Sequence, residues 1–202
     1  FAVGYYALRL NSTGAGNLAV GFESLQRNTT AHNNTAVGYR ALNTNTTGTS
    51  NVAVGANALD AATTANYNVA VGRNSLGTAT TGQKNVAVGY ECLNGNTTAN
   101  DNTAVGYQAL KSNTTGAANV AIGDRALDAN TTATGNVAVG KDSLGVNTTG
   151  DGNTALGWSS LALNVTGDNN TAIGTKALQV SLSSNNTALG YNALLTNTTG
   201  DR

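Results

Sequence analysis

Proline and methionine are absent from the 202 residues, cysteine occurs once, and the charges are few, ten basic against ten acidic. Each shortage excludes something. A single thiol, Cys92, rules out an intramolecular disulfide and a cysteine-rich metal site. Charges scattered singly with a formal sum of zero leave no basic stripe for phosphates, so nucleic acid is not an expected partner. No apolar run approaches the roughly 20 residues of a membrane helix, and no signal-peptide pattern precedes the first repeat. Insertion of this segment into a bilayer is therefore not expected. The lack of a start Met points to a window of a longer chain.

What is present is repetition. NTAVGYRALNTNTTGTS (34–50), NVAVGANALDAATTANY (51–67) and NVAVGRNSLGTATTGQK (68–84) align with a period of 17 residues. The period runs through residues 1–202 as one array of twelve copies, beginning at Asn17, Asn34, Asn51, Asn68, Asn85, Asn102, Asn119, Asn136, Asn153, Asn170 and Asn186. The first copy lacks its Asn and opens with Phe1 at position 2. The eleventh is one residue short, in the SLSSN stretch where a turn absorbs the loss.

Each column makes its own demand. Position 5 is Gly in all twelve copies, which implies positive φ or close backbone approach. Before it, Val, Thr or Leu at position 2 and Val, Ile or Leu at position 4 flank an unbroken Ala, a β pattern. After it, the stretch ending in the invariant Leu at position 9 reads as a second strand or a tight extended turn. The Asn-Thr-Thr-Gly/Ala segment closes the coil. One such unit cannot bury a core alone, whereas stacked copies pair every strand with the coils above and below. The expected fold is all-β, a parallel β-solenoid or β-roll of twelve 17-residue coils, roughly 55–60 Å long at the strand spacing. Stacked asparagines at position 1 read equally as an amide ladder or as a turn preference.

Position 3 points away from positions 2 and 4. If Val or Ile at position 4 fills the coil, then Ala19, Ala36, Ala53, Ala70, Ala87 and Ala104 face outward, where only contact with another chain explains a strict methyl. Side-by-side packing of several chains follows from that reading; tight packing inside a thin single coil is the alternative.

The NTAVGYQAL and NVAIGDRAL units resemble the Asn-Ser-Val-Ala-Ile-Gly repeats in the head domains of trimeric autotransporter adhesins, left-handed parallel β-rolls wound as three identical chains. The fuller NTAVGYQALKSNTTG (102–116) is more similar to arrays in tail-fibre-like proteins of phages and bacteria. The period here is 17 residues, against a shorter unit in the adhesin heads. The resemblance implies a structural shaft or head segment of an extracellular, cell-surface or virion fibre, with copies of itself as partners in a side-by-side homotrimer or filament and cell-surface glycans or a receptor as further ones.

No catalytic constellation or cofactor motif emerges, and no enzyme activity is expected. The only histidine, His32, stands in a variable turn, the carboxylates form no consistent pair, and the glycines lack phosphate-loop spacing. Tyr5, Phe22, Tyr39, Tyr90, Tyr107, Trp158 and Tyr191 share position 6, where aromatics suit either a recognition surface or packing. Sequons recur at position 12, on Asn11, Asn28, Asn45, Asn96, Asn113, Asn130, Asn147, Asn164 and Asn197, with others at Asn33, Asn169 and Asn185. A glycan-coated filament is thus an alternative function. Ala62 and Ala79 replace that Asn but keep Thr-Thr, so the threonines have a structural use of their own. An ice-binding solenoid is a third reading, weakened because consecutive strand residues face opposite ways and Thr-Thr offers one outward rank. Phe1 begins in mid-strand, Arg202 completes an ordinary coil and neither end looks capped, so an interior segment of a longer fibre is expected.

Overall fold

The computed structural model describes residues 1–197; residues 198–202, Arg202 among them, lie outside that range. The chain is a parallel β-solenoid, with no helix among the described residues. Each coil contributes a short strand at positions 2–4: β1 (Ala2–Val3), β2 (Leu18–Val20), β3 (Thr35–Val37), β4 (Val52–Val54), β5 (Val69–Val71), β6 (Val86–Val88), β7 (Thr103–Val105), β8 (Val120–Ile122), β9 (Val137–Val139), β10 (Thr154–Leu156), β11 (Thr171–Ile173) and β13 (Thr187–Leu189). They stack in sequence order into one twelve-stranded sheet. The register is one coil throughout, Ala36 against Ala53 and Ala53 against Ala70. The shortened eleventh copy keeps this register, pairing Ala172 with Ala188. Among the described residues a second sheet forms only there, β12 (Val180–Ser181) against β14 (Thr196–Asn197).

The stretch from position 6 to position 9 is a turn, not a second strand. Coil-to-coil hydrogen bonding continues through it, but in alternating directions. The Glu23 N–H donates back to the Tyr5 carbonyl at 2.9 Å, and the Leu25 N–H forward to the Ala41 carbonyl at 3.0 Å. Alternation requires φ to change sign, and positions 7 and 9 are left-handed in every coil; the leucines lie between φ 45° and 56°. A left-handed non-glycine residue costs about 1–2 kcal/mol. Full burial of each Leu from Leu25 to Leu178 returns about 1.5–3 kcal/mol, so the conformation holds wherever the side chain is inside. At position 5 the demand is stricter: Gly38 has φ +138°, and a Cβ there would stand 2.6 Å from the Gly55 carbonyl oxygen.

The interior is thin. It holds Ala at position 3, Ala, Ser or Cys at position 8, and Leu at position 9, all essentially without exposure in the inner coils. Serine is admitted at position 8 because its hydroxyl turns back to position 5, as Ser143 does to the Gly140 carbonyl at 2.8 Å. This corrects the expectation for Ala19, Ala36, Ala53, Ala70, Ala87 and Ala104. Each is 0% exposed within one chain, while positions 2 and 4 on either side are half-buried or exposed. The alanines point into their own coil, where the facing Leu leaves room for a methyl, and the valines point out.

Two amide ladders line this core. Asn51 donates its backbone N–H to Asn34 Oδ1 at 2.9 Å, its Nδ2 to the same oxygen at 3.2 Å, and its Nδ2 also across its own coil to the Ala65 carbonyl at 2.7 Å. The same pattern recurs along position 1, so the amide ladder is the correct reading of that column. Position 12 forms the second ladder. Asn130 Nδ2 donates to Asn113 Oδ1 at 2.8 Å and to the Ala133 carbonyl at 3.2 Å. One position-15 carbonyl thus takes both amides of its coil: Gly116 accepts from Asn102 and from Asn113, each at 2.9 Å. Where Ala62 and Ala79 interrupt position 12, Asn45 Oδ1 is left buried without a partner.

Position 15 itself alternates. Gly14, Ala31, Gly48, Ala65, Gly82, Ala99, Gly116, Ala133 and Gly150 succeed one another. The next coil's carbonyl occupies the space a side chain would need at the glycines; a Cβ on Gly82 would lie 2.5 Å from the Ala99 oxygen.

Candidate recognition surfaces

The left-handed turn after Gly at position 5 throws position 6 outward, and its aromatics are all exposed, from Tyr90 at 36% to Tyr191 at 75%. Being one coil apart, neighbouring rings stack. Tyr5, Phe22 and Tyr39 form a run with centroids 5.7 and 5.5 Å apart, and Tyr90 and Tyr107 a pair at 5.5 Å. These separations exceed the strand spacing of about 4.8 Å, as offset stacking requires. Stacked rings give their faces to each other and present edges and hydroxyls to solvent. Trp158 stands apart, with the Lys176 ammonium 5.1 Å from its ring centroid. Arg73 lies 5.9 Å from the Tyr90 centroid.

Positions 6, 7 and 10 also carry ion pairs, most of them between coils, that the sequence pattern did not disclose. Glu91 accepts from Lys111 Nζ at 2.8 Å and from Gln108 Nε2 at 2.9 Å. Those bonds, Lys111 first, with a third from Tyr90, hold its carboxyl down to about 2. The same contacts raise the Lys111 and Tyr90 pKa values. Arg40 bridges Glu23 at 3.7 Å and Asp60 at 3.9 Å. Burial raises Asp60 against the pull of that guanidinium. In the eighth and ninth coils, Arg125 pairs with Asp142 at 3.0 Å and Asp124 at 3.6 Å, and Lys141 with Asp124 at 3.6 Å. The salt-bridged side chains are a quarter to a half exposed in most cases, so each pair contributes little to stability.

The groups that could suggest chemistry hold turns. His32 Nδ1 accepts the Ala15 N–H at 2.9 Å, Asp151 the Thr134 N–H at 2.6 Å, and Asp168 the Asp151 N–H at 2.8 Å. No three His, Cys, Asp or Glu side chains among the described residues gather where they could hold a metal ion. Cys92 fills position 8, buried, and burial pushes its thiol up to about 12.

The glycosylation expectation is corrected at position 12. Asn28, Asn45, Asn96, Asn113, Asn130, Asn147 and Asn164 are 0% exposed. Their Nδ2 atoms, to which a glycan would be joined, donate inward to the position-15 carbonyl. The folded coil has no space for sugar there. Asn11, in the first coil, is half-exposed but bonds likewise to Gly14. Asn197 Nδ2 donates to Asn186, and the rest of its sequon lies outside the described residues. Asn33, Asn169 and Asn185, at position 17, are exposed. The paired threonines divide as expected. Thr46 and its equivalents at position 13 donate to the next coil, as to Thr63 at 3.1 Å, while position 14 faces solvent.

No family model, curated protein or solved structure matches the chain.

Proposed function

We propose that this chain is a non-enzymatic structural shaft or head segment of an extracellular fibre or adhesin, in which copies pack side by side along the outer face of the twelve-stranded sheet. The carrying observation is that face itself. Position 2 presents Val, Thr or Leu after Phe1, position 4 presents Val, Ile or Leu, and no charged side chain interrupts either rank from β1 to β13. Val3, Ile122, Leu156, Ile173 and Leu189 are between 36% and 75% exposed. Ranks two residues apart over twelve coils make a strip roughly 55 Å by 10 Å. At about 550 Å² that is at the upper end of the roughly 300–600 Å² of the largest apolar patch on a typical monomer, a size that commonly marks an interaction surface. The resemblance to trimeric adhesin heads supports three copies around a common axis, and burial of the alanines transfers the contact from position 3 to positions 2 and 4. Cell-surface glycans or a receptor remain the proposed outer partners, met by the position-6 aromatics.

Native mass determination tests the assembly. The wild-type segment should sediment as an oligomer, and the triple variant Val54→Lys, Val88→Lys, Ile122→Lys as a folded monomer, because each buried like charge opposes closure of the interface. Lysine at Tyr39 and Tyr107 should leave the mass unchanged. A wild-type monomer at micromolar concentration, or an unaltered mass for the triple variant, overturns the reading.

A further inference from the structure

The structure assigns a small binding site to the eighth to tenth coils: a depression that takes a primary ammonium group on a short apolar chain, with Asp128 as its counter-ion. The depression measures about 300 Å³ and is lined by Arg125, Asp128, Asp142, Gly145, Val146 and Leu163, with Ala162 between the last two coils' contributions. Its origin lies in position 10, where Gly145 and Ala162 follow Asp128 and leave the column without bulk.

The electrostatic argument is one of missing partners. Four carboxylates, Glu91, Asp124, Asp128 and Asp142, face three cations, Lys111, Arg125 and Lys141. Each cation is engaged elsewhere. Lys111, one coil before Asp128 in the same column, is drawn back to Glu91 at 2.8 Å; Arg125 is held by Asp142 and Asp124; Lys141 reaches Asp124. Asp60 occupies the same position 10 and has Arg40 within 3.9 Å, a cation from position 7 one coil back. The equivalent residue for Asp128 is Gln108, which donates to Glu91 at 2.9 Å. Among the described residues Asp128 therefore lacks the ion pair that its counterpart has, and burial with the nearby Asp142 raises its pKa despite Arg125 and backbone N–H groups. Arg125 lies near enough to act on Asp128 through space but is itself paired with Asp142 and Asp124, so a half-buried carboxylate without a direct ion pair is where an incoming ammonium gains most.

The apolar half of the ligand is specified by the far wall. Val146 is 38% and Leu163 46% exposed, and both line the depression together with Gly145. A Cβ built on Gly145 would stand 3.8 Å from Asp128 Oδ1, so a group lying over this glycine comes within reach of the carboxylate. A three- or four-carbon stem spans that wall. Lysine side chains of a partner and free alkylamines share this chemistry.

Titration of methyl-labelled protein with n-butylammonium at fixed ionic strength, following the Val146 and Leu163 methyl resonances, tests the site. The expected result is saturable binding with a Kd of order millimolar. Asp128→Asn should weaken it at least about tenfold, since the charge-assisted bond is lost. Gly145→Leu should abolish it by filling the floor, with the spectrum of distant coils reporting that the fold persists. n-Butanol, equal in shape but neutral, should bind at least about tenfold more weakly. Equal response to n-butanol, unaltered affinity in either variant, or shifts that never saturate would overturn the assignment. Comparison with Nα-acetyl-lysine amide separates the sources: tighter binding than n-butylammonium indicates a partner's lysine, weaker binding a free amine.

Discussion

The break in the position-12 ladder can be repaired by two substitutions, and the energetics of repair test whether these asparagines are structural. Ala62 and Ala79 keep the turn of their neighbours: the Ala62 N–H donates to Leu59 at 3.2 Å as the Asn96 N–H does to Leu93 at 3.1 Å. An Asn side chain at either site thus meets the same backbone as in intact coils. Ala62→Asn alone supplies a donor to the orphaned Asn45 Oδ1. It also creates a new orphan, its own Oδ1, because residue 79 offers nothing, so its net effect should be near zero. Ala79→Asn alone gives Asn96 Nδ2, which now has only the Ala99 carbonyl at 3.2 Å, a second acceptor, worth about 0.5–1.5 kcal/mol. The double variant leaves no orphan between Asn45 and Asn96. Relief of a buried unsatisfied acceptor is worth about 1–3 kcal/mol. The double change should therefore exceed the sum of the single ones by about that amount. Urea melts of the four proteins, made in a bacterial host so that the new sequons stay bare, measure the coupling. Hydrogen exchange of the third to sixth coils should slow in the double variant, which guards against loss of cooperativity in a repeat array. Simple additivity, or a destabilised double variant, would refute the ladder as a source of stability.

Glu91 is held near a pKa of about 2, below the ordinary glutamate value of 4.5, so its contribution to stability is complete above about pH 4.5 and is lost as pH falls through 2. Lys111→Met should raise the Glu91 pKa towards the ordinary carboxylate range, read by carboxyl carbon chemical shifts, and leave stability below pH 2 unaffected. Cys92, with its thiol pushed up to about 12 inside the coil, should resist alkylation by iodoacetamide at pH 8 in the folded protein and react once urea unfolds it. Rapid labelling of the native protein would show that the coil opens at that point.

Much of the architecture was legible because the solenoid repeats its errors as well as its signals. Invariant Gly at position 5 and the β-branched positions beside it located the strand, and the deletion in the eleventh copy fell in a turn as its lost Asn-Thr-Thr-Gly indicated. The facing of that strand was not legible. Periodicity of two says that positions 3 and 4 face opposite ways, but not which way is in; the size of the cavity decides, and only the left-handed Leu at position 9, swung across the coil, makes it small enough for alanine. The same limit hid the second amide ladder, since Asn-Thr-Thr has the form of a glycan acceptor whether its amide is wet or buried. The Asp128 depression depends on which of several coils each lysine or arginine leans towards, a choice among neighbours that spacing along the chain does not encode.

The alternation of glycine and alanine at position 15 bears on how such a rod can change length. Twelve coils share a 17-residue period, yet from Gly14 to Gly150 the backbone is periodic over 34, because a methyl in one coil is followed by a bare α-carbon in the next. Excising one inner coil would set alanine on alanine or glycine on glycine; excising two restores the order. Alanine never stacks on alanine in this column, whereas Gly150 is followed by Gly167, so the tolerated fault is the roomy one. Growth and shrinkage of the array by recombination are then expected in pairs of coils, steps of about 9.6 Å, and a length series built in odd and even numbers should show stability rising on a staircase with treads two coils deep.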